Sequence, residues 1–343
     1  MNTSKKNSNY FIGLAILLVV IFFINISLGS VSIPFEEIFN TLTGGISSKE
    51  SWQTIILNFR LPKAITAIMV GSGLSICGLL MQTLFRNPLA GPFVLGISSG
   101  ASLGVALLIL GSGLFGGIFT SIILSNWTMA ISASLGAFLV LSAVIIMANK
   151  VRNTMSILII GLMFGSLTSA IISVLSYFSE AAQIQQYLFW SFGSLGNLSW
   201  QELGIFGIIY MLGILGTSSI IKPLNSFLLG ENYAKSLGIN TKKSRTIILL
   251  ISSLLTGVIT AFSGPIAFVG IAIPHIAKMI FTTSNHKILI PASALIGAIV
   301  LLICDAIAQL PNSEFTLPIN AITSLFGAPV VIWLLVRNKK IYV

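Results

Sequence analysis

Apolar runs near twenty residues long recur along the whole chain, separated by short polar stretches. A helix of about 20 apolar residues, rising about 1.5 Å per residue, crosses the ~30 Å hydrocarbon layer of a bilayer. The pattern therefore predicts an all-α, polytopic membrane protein with about ten transmembrane helices. The predicted spans are 10–29, 62–82, 93–111, 127–148, 155–176, 200–221, 246–262, 266–282, 288–309 and 321–337.

Three segments need a separate interpretation. The stretch 34–42 predicts a short amphipathic helix beginning at Pro34, and 181–190 predicts a short helix too polar to cross the membrane. The first apolar run, of about 19 residues, exceeds the 7–15 of a signal-peptide core and no small-residue cleavage site follows it. We therefore interpret it as the first transmembrane helix.

Composition supports one membrane domain over residues 1–343. Hydrophobic residues make up 55% of the chain and charged residues 8%, whereas soluble domains carry about 25% charged residues. The two cysteines, Cys77 and Cys304, lie in apolar runs without metal-ligand spacing, which predicts buried apolar side chains. The sequence therefore predicts no metal site and no cofactor.

The distribution of charge predicts the orientation. With the N-terminus inside, 15 of the 18 Lys and Arg residues fall on the inner side, as the positive-inside rule expects. This places both termini in the cytoplasm and the chain in the plasma (inner) membrane. Because the cations are scattered, no nucleic-acid partner is expected. The inner cations are Lys5, Lys6, Arg86, Lys150, Arg152, Lys222, Lys235, Lys242, Lys243, Arg245, Lys278, Lys287, Arg337, Lys339 and Lys340; the outer ones are Lys49, Arg60 and Lys63. The predicted outer acids are Glu36, Glu37, Glu50, Glu180, Glu202 and Glu314.

Few residues could carry chemistry. The chain has two histidines, His275 and His286, and one acid within a span, Asp305. No catalytic triad, carboxylate pair or phosphate-binding loop stands out, so an enzyme is not expected. Asp305 follows Lys287 by about 27 Å of helix, near the outer edge, which argues against a proton relay. An ion-coupled secondary transporter remains an alternative, and the roles of His275 and Asp305 stay open.

The polar segment 222–245 contains a candidate interaction element. Glu231 lies near the start of a predicted short helix, where the helix dipole favours an anion, and Gly238 is a typical C-terminal stop. Thr241 is an acceptable N-cap for a following helix. Two short helices at a turn could transmit force from a soluble partner. A surface loop with no partner is the alternative.

Several motifs occur in order along the chain. They are Arg60-Leu61-Pro62-Lys63, Gln82 to Ala90, Leu95 to Ala101, Gly230 to Gly238, Ser263 to Gly270 with Pro274-His275, and Leu317-Pro318 through Gly327-Ala328-Pro329. Together they resemble the iron–siderophore and cobalamin permease family, the FecCD type of ABC importer. The resemblance extends from about residue 10 to residue 337.

The resemblance implies a type II ABC importer permease fold with ten transmembrane helices per subunit. It implies a homodimer or a heterodimer with a similar permease, two cytoplasmic ATP-binding subunits and an extracytoplasmic substrate-binding protein, all within membrane lipid. The cargo would be an iron–siderophore or related metal chelate, with cobalamin, haem or an oxyanion as alternatives. This chain has no phosphate-binding Gly-x-x-x-x-Gly-Lys-Ser/Thr loop, so ATP hydrolysis is expected in a partner subunit.

The resemblance also implies three groups of site residues. Coupling to the ATPase would involve Gly230, Glu231, Ala234, Leu237 and Gly238. A cytoplasmic gate would involve Asn87, Leu89, Thr154 and Met155, although Met155 replaces a small polar residue. Binding-protein docking would involve Arg60 and Lys63, while Gln309 stands where the family carries a further arginine.

Overall fold

The computed structural model describes residues 2–45, 47–112, 125–151, 154–196, 198–310, 313 and 315–337, and these residues are all-α. Four of the charged residues whose side of the membrane was predicted lie outside the described residues: Arg152, Glu314, Lys339 and Lys340. The helices are α1 (Asn2–Ser27), α2 (Phe35–Leu42), α3 (Glu50–Ile55), α4 (Leu61–Phe85), α5 (Ile97–Ile109), α6 (Asn126–Lys150), α7 (Thr154–Tyr177), α8 (Ala181–Ser191), α9 (Trp200–Phe227), α10 (Glu231–Ser236), α11 (Thr241–Ser263), α12 (Val269–Phe281), α13 (His286–Ala308) and α14 (Ile319–Arg337).

Within the described part of the chain, seven helices are long and apolar enough to cross a membrane. They are Lys5–Ser27, Glu50–Phe85, Asn126–Ala148, Met155–Tyr177, Trp200–Phe227, Thr241–Ser263 and His286–Ala308. Three shorter apolar helices, Ile97–Ile109, Val269–Phe281 and Ile319–Trp333, occupy the other three predicted spans. The all-α membrane class is confirmed. Ile97–Ile109 and Val269–Phe281, of 13 residues each, are shorter than the predicted spans and below the about 20 residues that cross a bilayer, whereas α14, counted to Arg337, has 19 residues.

The prediction that the second span begins at Pro62 is wrong. Helical structure runs from Glu50 to Phe85, with the π-helical turn Ile56–Arg60 joining α3 to α4. Proline lacks an N–H and its ring crowds the carbonyl four residues earlier. The wider π-helical turn directly before Pro62 interrupts the regular α-helical hydrogen bonding at the residues whose carbonyl groups Pro62 would crowd. Arg60 and Lys63 therefore lie within a long helix rather than at its start.

The chain forms two compact units. Unit 1 comprises Met1–Ile76, Ser194–Gly204 and Ala267–Val343. Here α1 packs against α13, and α13 packs against α12 and α14. Gly71 of α4 meets Gly297 of α13 backbone to backbone, because a Cβ on either glycine would overlap the carbonyl oxygen of the other. Small residues permit this close approach between helices in a membrane.

Unit 2 comprises Cys77–Gly193 and Ile205–Ile266. Its centre is α5, which packs against α6, α7, α8 and α11. Gly100 and Gly104 of α5 lie so close to α6 that a Cβ on Gly104 would clash with the Ser132 carbonyl oxygen. Gly96, before α5, faces the backbone of Gly161 on α7. The absence of a side chain at these glycines thus permits the close approach of α5 to α6 and of residue 96 to α7.

The two predicted short helices are present as α2 and α8. Pro34 is the N-cap of α2, and the turn after this helix is tied back by Glu37. The Glu37 carboxylate accepts hydrogen bonds from the hydroxyls of Ser47 and Ser48 and from the Ser48 amide, at 2.5–3.0 Å. The bonds from Ser48 and then Ser47 lower the pKa of Glu37, because they favour the charged form.

Candidate functional sites

The coupling segment, residues 230–239, is a single helical turn bounded by two glycines. α10 follows Gly230, at φ +108°, and ends before Gly238, at φ +76°. The Gly238 amide donates to the Lys235 carbonyl at 2.9 Å, and the Ile239 amide donates to the Ala234 carbonyl at 3.1 Å. This pair of bonds is the Schellman motif, which requires a residue of positive φ at its C′ position. Gly238 therefore ends α10, as predicted.

One face of α10 is anchored and the other is exposed. Ala234 is fully buried, whereas Tyr233 and Leu237 are 50% and 53% exposed. Glu231 Oε1 lies 2.5 Å from a guanidinium nitrogen of Arg245, which ties α10 to α11. The N-cap of α11 is Asn240, whose side chain accepts from the Lys243 amide at 2.9 Å, so the prediction of a Thr241 cap is wrong. Asparagine caps at least as well as threonine and lies one residue earlier.

The Asn87 turn, residues 86–90, follows the end of α4. Arg86 has a φ of +48°, and the Asn87 amide donates to the Gln82 carbonyl at 3.2 Å. The Asn87 side chain accepts from the Leu89 amide at 2.9 Å, which fixes the Asn-Pro-Leu backbone as an Asx turn. Leu89 is 40% exposed.

The structure brings the Asn87 turn next to the coupling segment. A Cβ built on Gly230 would lie 3.7 Å from a guanidinium nitrogen of Arg86, within van der Waals distance. Both elements belong to unit 2. The side chain of Arg86 thus lies beside the first residue of the coupling segment.

The predicted docking cations belong to a buried polar cluster in unit 1, formed by Asn25, Arg60, Lys63, Asp305 and Gln309. The Lys63 ammonium lies 3.0 Å from Asp305 Oδ1. The side-chain amides of Asn25 and Gln309 both donate to Asp305 Oδ2, at 2.9 and 2.8 Å. Asp305 is 2% exposed, so three donors satisfy a carboxylate that is shielded from water.

Arg60 closes the end of α1. Its guanidinium donates to the carbonyl oxygens of Ile26 at 2.7 Å and Ser27 at 3.0 Å, and also to that of Val31. The last carbonyls of a helix lack partners within the helix and carry partial negative charge. Arg60 is 8% exposed. Its guanidinium, which was predicted to contact the binding protein, is therefore bound to these carbonyl groups instead. Lys63, with 21% of its side chain exposed, is the cation of the cluster that reaches the surface.

The sequence that contains these sites matches the sequence profile of a known protein family. The profile of the FecCD transport family matches residues 17–337, nearly the whole chain. The chain belongs to the FecCD transport family.

Relatives of this FecCD permease cover it almost from end to end. It is 34% identical to the vitamin B12 import system permease protein BtuC of Klebsiella pneumoniae over 337 residues, which are 98% of this chain and 96% of the relative. It is 34% identical to the hemin transport system permease protein HmuU of Yersinia pestis over 330 residues, 95% of each chain. The protein is thus a membrane-embedded transport permease of an ABC importer.

Solved structures support the same fold. An inward-facing metal-chelate type ABC transporter superposes with a TM-score of 0.83 at 30% identity, covering 96% of this chain and 99% of the other. The PsaBC structure from Streptococcus pneumoniae superposes with a TM-score of 0.54 at 18% identity, covering 88% of this chain and 95% of that one, and shows the fold alone.

The other two residues that were predicted to belong to a gate lie at the start of α7 in unit 2. Thr154 is the first residue of that helix, and Met155 follows it with 47% exposure. Within the described residues, no group of three or more His, Cys, Asp or Glu side chains could hold a metal ion.

Sequence reasoning missed the partners of Asp305 and the membership of Asn25 in the cluster. A signal was present, because an ionisable residue within a membrane helix needs a partner and Asp305 lies in the predicted span 288–309. The signal did not name the partner. Asn25 and Asp305 are 280 residues apart in the chain.

Proposed function

We propose that this chain is the permease subunit of an ATP-driven importer of iron–siderophore or related metal-chelate complexes. The observation that carries this proposal is the match along 96% of the chain to a metal-chelate type ABC transporter. Two relatives, a vitamin B12 import permease and a hemin transport permease, favour cobalamin and haem as alternative cargoes carried by the same machinery. Oxyanion import is a further alternative.

In this proposal the permease forms a dimer, and two cytoplasmic ATPase subunits bind one coupling segment each. Tyr233 and Leu237 offer exposed apolar surface to the ATPase, while buried Ala234 seats the helix. The Glu231–Arg245 ion pair carries a displacement of α10 into α11. Both termini and the coupling segment lie in the cytoplasm, as the excess of inner cations predicts.

The gate is proposed to consist of Asn87 and Leu89 with Thr154 and Met155. The Asx turn holds Leu89 on a short, defined backbone, and Arg86 connects that backbone to Gly230. Irregular backbone at membrane depth is tolerated beside a water-filled cavity or inside protein. ATP binding would thus change the spacing between gate side chains of the two subunits.

Docking of the extracytoplasmic binding protein is proposed to use the cluster that contains Arg60 and Lys63. In the described contacts Arg60 caps α1, so its contribution is to fix the shape of the surface. Lys63 presents the accessible charge.

The test of the function is reconstitution. The permease, purified with its ATPase subunits in proteoliposomes, is expected to import radiolabelled ferric siderophore only when ATP and the loaded binding protein are supplied. Ferric hydroxamate, ferric catecholate, haem and cobalamin are compared in parallel. Uptake driven by a proton or sodium gradient without ATP would contradict the proposal and favour an ion-coupled secondary transporter. Uptake of cobalamin or haem without uptake of either ferric siderophore would show that the proposed cargo is wrong.

We expect cysteines at position 89 of the two subunits to crosslink in one nucleotide state and not in another. The Leu89→Cys variant is treated with a short bis-thiol reagent without nucleotide, with ATP analogue and with ADP. The native thiols Cys77 and Cys304 are buried, so background labelling is low. Leu212→Cys on α9, also strongly exposed, is the control. Crosslinking at position 89 that is equal in all three states would remove the gate from this turn.

A further inference from the structure

The polar cluster has an imbalance of charge. It contains two cations, Arg60 and Lys63, and one carboxylate, Asp305. Arg60 is occupied by the carbonyl groups at the end of α1, and Asp305 is shielded from water. The cluster therefore carries one excess positive charge, and its more exposed cation is Lys63, whose side chain is 21% exposed.

The contacts of Asp305 divide between its two oxygens. Oδ2 receives both amide donors, from Asn25 on α1 and Gln309 after α13. Oδ1 receives the Lys63 ammonium. The amides thus hold the carboxylate in one orientation, and the carboxylate holds the lysine. The aliphatic stem of Lys63 packs near Gly196, where a Cβ would lie 3.4 Å from Lys63 Cδ.

We propose that Asp305 is a positioning residue for the docking of an acidic protein surface, acting through Lys63. This inference rests on the proposed importer function and on the outer location of the cluster. Lysine is a compact charge on a flexible stem, and ordering such a side chain when a partner binds opposes association. Asp305 orders it beforehand, and the cluster joins the three helices that carry these side chains. The complementary group is a carboxylate on the partner, since the cluster carries one excess positive charge.

The experiment measures association and dissociation rates separately. The permease–ATPase complex is immobilised in nanodiscs, and the loaded binding protein is the probe, from low salt to about 0.15 M, where the screening length is about 8 Å. Asp305→Asn keeps the shape and removes the charge. Because this change adds net positive charge, association is not slowed. Dissociation is expected to become about two- to tenfold faster, the effect of leaving one long side chain unordered.

Two further variants separate positioning from simple stability. Lys63→Gln is expected to slow association and flatten its salt dependence, because the presented charge is gone. The exchange Lys63→Glu with Asp305→Lys restores an ion pair, so its Tm returns toward that of the native protein while docking is lost. Lys49→Gln is the matched control: it removes a predicted outer cation that lies over the Trp52 ring, and it leaves both rates unchanged. Gln309→Met, which removes one donor to Asp305 without a change of charge, serves if Asp305→Asn does not fold; it too is expected to speed dissociation.

Each outcome decides the proposal. A salt-dependent loss on Lys63→Gln together with faster dissociation on Asp305→Asn or Gln309→Met supports it. A loss on Lys63→Gln with native dissociation in both other variants leaves docking in place and overturns the positioning role. Native rates in Lys63→Gln, or docking by the charge-exchanged variant, overturn both the docking role of Lys63 and the inference. The importer function stands in these cases as long as ATP-dependent uptake persists.

Discussion

Replacing Gly238 with valine is expected to abolish most ATP-driven transport while the protein still inserts and folds. Gly238 has a φ of +76° and ends α10 through the Schellman motif. An ordinary side chain in this conformation costs about 1–2 kcal/mol, and a β-branched one costs more. A penalty of that size shifts a local equilibrium by about 5- to 30-fold. Leu237, the neighbouring exposed apolar side chain, would then lose its defined position.

Two variants show whether the backbone of Gly238 is the cause. Apart from the chain neighbours of Gly238, no atom of the described residues lies within 4 Å of a Cβ built on it, so valine would not clash with the rest of the protein and its penalty is that of the local backbone conformation. Gly238→Asn, which tolerates positive φ, should keep most of the transport. Gly44 also has positive φ, +85°, and open space around it, so Gly44→Val applies the same penalty elsewhere. Uptake and ATPase activity are measured in proteoliposomes. If the Gly238→Val permease transports normally with its ATPase attached, the coupling segment has no part in the mechanism.

A leucine at position 297 is expected to prevent unit 1 from packing. A Cβ on Gly297 would overlap the Gly71 carbonyl oxygen and the Ser75 hydroxyl, and Ser75 already donates to that carbonyl at 2.6 Å. Overpacking a core ordinarily costs about 1–3 kcal/mol, when side chains can move aside. Here the obstacle includes backbone, which cannot change rotamer. We therefore expect a cost above that range and a large loss of monodisperse protein.

Gly13→Leu is the matched control. It introduces the same side chain into a membrane helix, α1, where no atom lies within 4 Å of the new Cβ. Yield by size-exclusion chromatography and Tm in detergent compare the two variants. Equal values would show that α4 and α13 do not approach as closely as these contacts require.

Hydropathy and turn residues predicted much of this molecule. Ten apolar segments were expected, and a helix lies in each, because burying backbone in lipid leaves the chain little alternative. The end of α10 at Gly238 was predicted because few residues other than glycine adopt a positive φ. Glycines within helices permit close contacts, but the sequence does not name their partners. The pairing of Gly71 with Gly297 joins positions more than 200 residues apart, which local patterns do not record.

The candidate docking site shows where sequence reasoning ended. Distance along α13 placed Asp305 near one end of its helix, but it could not show which other helix ends arrive there. Proline is favoured at helix starts, so Pro62 predicted a boundary; the π-helical turn made a continuous helix possible instead. As a result, Arg60 was expected to be exposed and is buried.

The π-helical turn Ile56–Arg60 sets the direction in which the later residues of this helix point around the helix axis. A π-turn accommodates one residue more than an α-turn, as a single-residue insertion would leave behind. Its conversion to regular α-helix would rotate everything beyond it by about 100° relative to α3. Arg60 and Lys63 would then point away from the end of α1 or from Asp305 unless α3 turned instead. The contacts of the polar cluster thus require the additional residue of the π-helical turn. Deleting one residue from this turn would move Arg60 and Lys63 out of the cluster and change the charge at the protein surface.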